Sequence, residues 1–302
     1  MRGPSTTSAS KRLAVAVTTA AVALVGPAFT GVATASATTP GTAVQVKMTN
    51  AGFRLPEEVR AGFVTFSVST KDANGHELQG LRLHKGVTIP QIIADIEKAI
   101  SNNPADAAAG IRAVARDATL VGGASVEPST AVDTTIPLTR GTYYFFDFAQ
   151  FFVPKAPPPR FHRLEVNCDF AGRMPRFKAE IDQVETKKGP RFEGPANLDL
   201  DGAILVRNKA DEIHEAMFQR VNPGVTNAKL TAFFAAIAAG KNPGFNPFAE
   251  SVSRGLAAMS PGRYQVLRFH PQSGRYALLC FIPDAMSGIP HAFLGMHKIV
   301  RL

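Results

Sequence analysis

The stretch that decides this fold is Gly274-Arg-Tyr-Ala-Leu-Leu-Cys280-Phe-Ile-Pro-Asp-Ala-Met-Ser-Gly-Ile-Pro-His291-Ala-Phe-Leu-Gly-Met296. A Gly-x-Tyr start and an apolar run lead to a cysteine. A turn-rich loop follows, and then a histidine and a methionine. Thiolate, imidazole and thioether are soft ligands, and with one more imidazole they form the donor set of a mononuclear copper electron-transfer site. The order of these residues therefore predicts a copper centre that needs a second histidine from elsewhere in the chain.

The first 37 residues have the layout of a cleaved secretory signal. Lys11 and Arg12 precede an apolar run from Leu13 to Val25, and small residues follow up to Ala37. The run is too short to span a bilayer, and so is every later segment. We therefore expect cleavage after Ala37 and a secreted, soluble product. The Lys-Arg pair is not a twin arginine, so the export route stays open.

The charge of the chain excludes one class of partner. Cleavage would remove three of the 33 basic residues, and against 24 acidic ones the remaining chain would carry +6. The basic residues are spread without Lys/Arg-rich runs, so nucleic acid is not an expected partner. A mildly basic surface is compatible with acidic partners or association with an anionic cell envelope, but an ordinary solvated surface explains it equally well.

Two cysteines, Cys168 and Cys280, leave an alternative open. A cysteine pair in an exported protein usually forms a disulfide. A disulfide between Cys168 and Cys280 would consume the thiol that the metal site needs. The sequence is therefore compatible with either a metal ligand or a disulfide at Cys280.

The chain contains an internal duplication, visible as two blocks of matched residues in the same order. Residues 66–88 align with residues 204–226, and a second block aligns after a length change. The matched pairs include His76/His214, Glu77/Glu215, Gly122/Gly255, Tyr143/Tyr276 and Phe148/Phe281. We expect two homologous domains, at 42–168 and 176–302, joined by a linker at 169–175.

Each copy is predicted to be mainly β, with one helical insertion. Short β-branched or aromatic runs between Gly, Pro, Asn and Asp favour a sandwich of short strands. The periodicity predicts helices at 89–100 and 227–239, after the repeated Gly-Val-Thr, and a third at 105–116. Thr88 and Gln91 are placed as a capping box. The strands expected are 43–48, 62–70, 77–83, 134–138, 142–148, 178–184, 203–207, 215–221, 264–269 and 275–281.

The second copy resembles a cupredoxin, the blue-copper family of plastocyanin and azurin. Residues 208–214 match the family's histidine after an Asn-containing turn, and the stretch from Cys280 to Met296 matches its late ligands. The resemblance covers the second copy in full and the first in weakened form. It implies two tandem cupredoxin-like Greek-key β-sandwich domains. It also implies one copper in the second domain, held by His214, Cys280, His291 and Met296.

This ligand set implies electron transfer or copper handling, with a redox or copper-handling protein as partner. Two imidazoles and a thiolate would hold copper in a near-trigonal plane, with a weak axial thioether. Met286 is an alternative thioether, and the ten residues between Cys280 and His291 are more than in the small electron carriers. Four apolar neighbours are expected to restrict water: Leu278, Phe281, Ile289 and Phe293.

The first copy lacks most of this pattern. His76 aligns with His214, but Asp147 stands in the place of Cys280 and no methionine follows. We expect a metal-free scaffold in which Asp147 pairs with a neighbour such as Arg160. The alternative is a harder metal site made of His76, Asp147 and His162.

No catalytic constellation is present in the sequence. The chain has no His-x-His, and Leu279 and Phe281 flank Cys280, so the motifs of a multicopper oxidase are absent. Glu77 and Glu215 are expected on the sheet surface or behind the ligands rather than as a catalytic pair. The alternative to the copper protein is a metal-free exported binding or structural protein of the same fold. It would have Cys168 and Cys280 disulfide-bonded, or both thiols buried.

Overall fold

Some strands of this protein form where apolar residues alternate with polar ones. The first strand, AVQVKM, alternates exposed and buried positions along its length, as expected for a strand with one face on a core. The computed structural model describes residues 41–198 and 202–302. The expected signal sequence at 1–37 lies outside the described residues.

The N-terminal half of the chain runs from β1 to β7 and carries two α-helices and one 3-10 helix among its described residues. Its elements are β1 Ala43–Met48, β2 Glu58–Thr70, β3 His76–Leu83, α1 Ile89–Ala99, α2 Pro104–Asp117, β4 Ala118–Val126, β5 Val132–Leu138, β6 Gly141–Asp147, the 3-10 helix Phe148–Phe152 and β7 His162–Ala171.

The C-terminal half repeats this pattern with one helix. Its described elements are β8 Ala179–Thr186, β9 Gly189–Glu193, β10 Ile204–Asn208, β11 His214–Arg220, α3 Asn227–Ala238, β12 Arg254–Met259, β13 Tyr264–Phe269, β14 Arg275–Leu279 and β15 His297–Arg301. The prediction of a mainly β chain with helical insertions is confirmed. Strands β4, β7, β9, β12 and β15 were not among those expected, and β7 extends to Ala171, inside the expected linker.

The helices begin where the sequence predicts. The Thr88 side chain accepts a hydrogen bond from the Gln91 backbone nitrogen, and Thr226 accepts one from Lys229. The Gln91 side chain does not return to Thr88, because its amide donates to Asp117 at 3.0 Å. The capping box is therefore half formed, and Gln91 ties α1 to the end of α2.

The described strands form one hydrogen-bonded network, in the order β15-β14-β11-β12-β4-β3-β6-β7-β2-β5-β13-β10-β8-β9, with β1 on β2. The two halves join through equivalent strands, because β12 pairs with β4 and β13 with β5, both antiparallel. Leu267 lies opposite Thr134. These two residues are 133 positions apart in sequence, as are the matched glycines Gly122 and Gly255, so they are equivalent positions of the two copies. Equivalent strands that cross at equivalent residues define an internal pseudo-two-fold axis.

One apolar core runs through both halves. Buried residues of strands in both halves belong to one cluster. Tyr143 and Tyr276 show the duplication in detail, since each is buried and donates its hydroxyl to a carbonyl four residues earlier, at Thr139 and Gln272. Among the described residues, no helix has the length and apolar character needed to cross a membrane.

Candidate metal centre

The candidate ligands lie where two paired strands meet. β11 begins at His214, and β14 ends one residue before Cys280. The antiparallel pairing of Met217 with Leu279 brings the start of β11 beside the end of β14. The Glu215 backbone nitrogen then donates to the Cys280 sulfur at 3.5 Å. His214 and Cys280, which are 66 positions apart in sequence, are thus neighbours at one end of the sheet.

Asn208 orders the turn that leads to His214. Its side-chain nitrogen donates to the backbone oxygens of Glu212, at 2.7 Å, and Met259, at 3.0 Å. Its side-chain oxygen accepts from the Ala210 backbone nitrogen at 3.1 Å. Asn208 is buried, so an unpaired amide there would be costly. The Asn-containing turn noted in the sequence therefore fixes the path into β11.

The long loop after Cys280 folds back on itself. Ala292 donates from its backbone nitrogen to the Cys280 oxygen at 2.7 Å, and His291 donates to Ile282 at 3.0 Å. The Asp284 side chain accepts from the Ser287 hydroxyl at 2.6 Å and holds the loop tip as a turn. These bonds return His291 to the thiol despite the ten intervening residues.

Three of the four predicted ligands present one donor atom each to a common space. The Cys280 sulfur lies 3.7 Å from the Nδ1 atom of His214 and 3.5 Å from the Nδ1 atom of His291. One donor atom from each of the three residues lies within 4.8 Å of the others, and all three residues are buried. The donor set of two imidazoles and one thiol fits copper.

The environment keeps the uncomplexed His214 imidazole and Cys280 thiol neutral. Burial lowers the pKa of His214 to about 2, and the neighbouring His291 adds to this shift. Burial also raises the pKa of the Cys280 thiol well above its usual value, helped by the nearby Glu215 carboxylate. A neutral imidazole already has a ligand lone pair, whereas the thiol would have to release its proton on metal binding.

The fourth predicted ligand, Met296, is fully buried and belongs to the same core cluster as Cys280. Its backbone nitrogen donates to the His291 oxygen at 2.9 Å, which anchors it to the ligand loop. Met286 is different, because its side chain is 84% exposed. The alternative thioether role considered for Met286 is therefore wrong, since the side chain is exposed to solvent.

The sequence gives no signal for Glu212 as the partner of His291. The Glu212 carboxylate lies 3.2 Å from the His291 Nε2 atom and accepts a backbone hydrogen bond from Ala285 at 2.9 Å. With Nε2 as the donor to Glu212, the Nδ1 lone pair of His291 faces Cys280. An acid two residues before His214 is visible in the sequence, but its partner on a distant loop is not.

The apolar surround expected for the ligands is only partly formed. Leu278 is fully buried, whereas Phe281 is 42% exposed. The expectation that Phe281 restricts water is therefore only partly met, because much of its ring faces solvent. Ile289 and Phe293 have intermediate exposure.

The two cysteines are not bonded to each other. Both are free, with Cys280 buried and Cys168 exposed at the end region of β7. The alternative with a Cys168–Cys280 disulfide is wrong, and so is the version with both thiols buried. The Cys280 thiol is therefore free to act as a ligand.

The N-terminal half has a different cluster at the equivalent place. The His76 Nδ1 atom lies 2.6 Å from Asp147, and its Nε2 atom lies 3.0 Å from Asp72. The expected pairing of Asp147 with Arg160 is thus wrong, because the partner of Asp147 is His76. The hydrogen bonds that His76 donates to Asp147 and Asp72 raise its pKa despite its burial. The imidazole is held as a cation between two carboxylates.

His162 does not join this cluster. Its ring lies 4.3 Å from the ring of Phe53, and burial lowers its pKa. The metal site suggested for His76, Asp147 and His162 is therefore not assembled among the described residues.

Glu77 and Glu215 are not on the surface. They are 8% and 6% exposed. Glu215 accepts a backbone hydrogen bond from Phe281 at 2.7 Å and so supports the ligand loop from behind. The expectation of a surface position is wrong for both, while the supporting role suggested for such a carboxylate fits Glu215.

Neither a protein-family model nor a curated protein sequence matches the chain. Similar solved structures include an auracyanin from the photosynthetic bacterium Roseiflexus castenholzii, with 14% identity and a TM-score of 0.25 over 40% of this chain and 93% of that one. A copper-containing nitrite reductase from Thermus scotoductus has 13% identity and a TM-score of 0.23 over 86% of this chain and 61% of that one.

A blue copper oxidase from Nitrosomonas europaea has 9% identity and a TM-score of 0.21, over 86% of this chain and 85% of that one. Similarities this distant carry no conclusion about what this chain binds or does. The fold itself is mainly β and internally duplicated. Within it, His214 begins β11, Cys280 directly follows β14, and His291 lies in the loop between β14 and β15.

Proposed function

We propose that this protein binds one copper ion in its C-terminal half, through His214, Cys280, His291 and Met296, and serves in electron transfer or copper handling. The observation that carries the proposal is the convergence of two imidazole nitrogens and one free thiol in a buried space. Copper bound there would supply one-electron redox chemistry.

The protein's own residues prepare this site in three ways. The Glu215 backbone nitrogen donates to the Cys280 sulfur, which stabilises the thiolate form. Glu212 holds the His291 ring in one orientation. Asn208 keeps the turn before His214 in place. A site held by such fixed partners changes little in geometry when its charge changes, as electron transfer requires.

The remaining parts of the proposal concern organisation and location. We propose domains at 42–168 and 176–302, with the first lacking a copper site, and export directed by the first 37 residues. The proposed partner is a redox or copper-handling protein, and the net positive charge is compatible with an anionic envelope. We propose no catalytic activity, since the described residues that cluster at the site include no acid-base pair facing an open substrate position.

Titration of the purified protein with Cu(II) tests the proposal. We expect an intense visible absorption from thiolate-to-copper charge transfer that saturates at one copper per chain. Cys280→Ser should abolish the absorption, and Cys168→Ser, the matched control, should leave it unchanged, because Cys168 is exposed and away from the site. Absence of the absorption in the wild-type protein, with Cys280 still titrating as a thiol, would contradict copper binding and favour the metal-free alternative.

A further inference from the structure

A cavity with a volume of about 950 Å³ lies where the two halves meet. Its floor is the shared sheet, with Glu77, Gln79 and Ser125 from one half and Glu215 and Met217 from the other. Its walls come from α1, α2, the 3-10 helix, the end of α3 and the loop after Cys280. A cavity of this size can enclose a whole small molecule.

The walls of this cavity are apolar. They include Ile96 and Ile111 from the helices, Phe148 from the 3-10 helix and Phe293 from the ligand loop. Three further lining residues have large exposed side chains: Phe152 at 61%, Phe281 at 42% and Ile237 at 38%. Since these residues face both cavity and solvent, the cavity is reached from outside. Apolar walls with an open entrance favour a ligand with an apolar body.

Glu77 is a buried carboxyl without a partner on this floor. It is 8% exposed, and within residues 41–198 and 202–302 its carboxyl oxygens have no hydrogen bond or ion pair. The other polar groups of the floor are satisfied, because Gln79 donates to Ala258 at 3.0 Å and Ser125 donates to Ser253 at 3.4 Å. Burying a carboxyl without a partner is costly. Such a group in a cavity wall indicates a ligand that supplies the partner.

The charged residues of the cavity indicate whether the ligand group that meets Glu77 is positive or negative. No Lys or Arg lines this cavity in the described part of the chain, whereas two glutamates do, Glu77 and Glu215. The nearby His76 is already held between Asp72 and Asp147. Burial raises the pKa of Glu77 well above its usual value, and the Glu215 carboxylate adds to this shift. An organic cation placed here would favour the ionised form of the Glu77 carboxyl, with release of its proton, and so would offset both effects.

We propose that this cavity binds an organic cation with an apolar body, whose charged group is held by Glu77. The apolar body would lie between α1, α2 and the loop after Cys280. The proposal concerns the junction of the two halves and does not depend on whether the candidate metal centre binds copper.

Glu215 contributes to both the cavity and the candidate metal centre, so it is not a suitable residue to substitute in testing the cavity. Its carboxylate accepts from the Phe281 backbone nitrogen, and its own nitrogen contacts the Cys280 sulfur. A substitution there would disturb the candidate metal centre as well. Glu77 has no hydrogen bond to His214, Cys280 or His291 and is the variant to use.

The test is calorimetric titration of the purified, metal-free protein with three probes of equal chain length: octylammonium, octan-1-ol and octanoate. We expect octylammonium to bind at least tenfold more tightly than octan-1-ol, and octanoate to bind more weakly than both. Glu77→Gln should weaken octylammonium at least tenfold and change octan-1-ol less than twofold. Glu97→Gln removes an exposed acid of α1 outside the cavity and should change neither.

A second variant keeps the test decisive if Glu77→Gln does not fold. Ala149→Phe narrows the cavity from the 3-10 helix without changing its charge, and it should weaken octylammonium and octan-1-ol together. The proposal is overturned if octan-1-ol or octanoate binds as tightly as octylammonium. It is equally overturned if Glu77→Gln keeps the wild-type affinity for octylammonium, or if none of the three probes binds.

Discussion

In each half of this protein, the backbone nitrogen of an equivalent glutamate donates a hydrogen bond to a side chain, but the two acceptor side chains differ. In the C-terminal half, the Glu215 backbone nitrogen donates to the Cys280 sulfur at 3.5 Å. In the N-terminal half, the Glu77 backbone nitrogen donates to the Asp147 carboxylate at 3.1 Å. The scaffold of the site is thus conserved within the molecule, while its chemistry has changed from soft sulfur to hard oxygen.

The imidazoles differ in what surrounds them. His76 lies between the carboxylates of Asp147 and Asp72, which favour a bound proton. His214 lies beside a neutral thiol and the second imidazole of His291, and burial keeps it unprotonated. The same fold position therefore carries an imidazole that favours a proton where its neighbours are carboxylates, and a neutral imidazole where its neighbours are a thiol and a second imidazole.

The largest effect is expected when the carboxylate of the N-terminal cluster loses its charge. Asp147 holds His76 at 2.6 Å and also accepts from the Glu77 and Ala149 backbone nitrogens. Asp147→Asn leaves a buried imidazolium poorly paired, so we expect the free energy of unfolding to fall by about 2–4 kcal/mol. Urea unfolding at pH 6 measures it. The exposed Asp106→Asn should stay within about 0.5 kcal/mol of wild type, and an equal loss there would contradict the role of Asp147.

The next largest effect concerns the His291 imidazole, which has no counterpart in the His76 cluster of the N-terminal half. Glu212→Gln removes the charge that orients His291, so we expect copper affinity to fall by about 10- to 100-fold. Competition with a chelator of known affinity gives the value. Asp211→Asn removes an exposed neighbouring acid and serves as the matched control. Equal affinities for the two variants would show that Glu212 does not position His291.

The pH dependence of stability should differ between the halves. The pKa of His76 is raised in the folded state, so its stabilising contribution is fully present below about pH 6.5 and is lost as the pH rises through the folded pKa. We expect His76→Gln to cost more stability at pH 6 than at pH 9. Nitrogen chemical shifts of His76 report its pKa directly. A pKa below 6.5 would contradict the carboxylate–imidazolium cluster.

The smallest effect tests whether the helical insertions are equivalent. Thr88 caps α1 and Thr226 caps α3 through the same side-chain bond. Alanine at either position should cost about 0.5–1 kcal/mol, while serine should restore most of the loss. Thermal unfolding of the four variants measures this. A loss at only one position would show that the two caps are not equivalent.

Much of this site was predictable because ligand chemistry and duplication are both visible in sequence. The order of Cys280, His291 and Met296 predicted one side of the centre, and the repeat of His76 pointed to His214 as the other. The partners behind the ligands were not predictable. Glu212 and Asp72 are acids in turns, and only the folding of distant loops decides which ring each one meets.

Strand β4, at the junction of the halves, is a part of the fold that the sequence alone did not predict. β4 contains Gly122 and Gly123, which in sequence favour a turn. It is a strand because it pairs with β3 on one side and β12 on the other. A side chain at Gly123 would meet the Leu78 backbone oxygen at 1.7 Å. Glycine here permits close approach of strands, a requirement set by tertiary packing rather than by local propensity.

Copper binding by His214, Cys280 and His291 is tested most directly by X-ray absorption at the copper edge of the copper-loaded protein. The metal content is measured on the same sample. We predict one copper per chain with one thiolate sulfur and two imidazole nitrogens as close ligands, and loss of the sulfur in Cys280→Ser. A copper bound only by nitrogen and oxygen, or a sulfur ligand that persists in Cys280→Ser, would contradict the assignment of the centre to His214, Cys280 and His291.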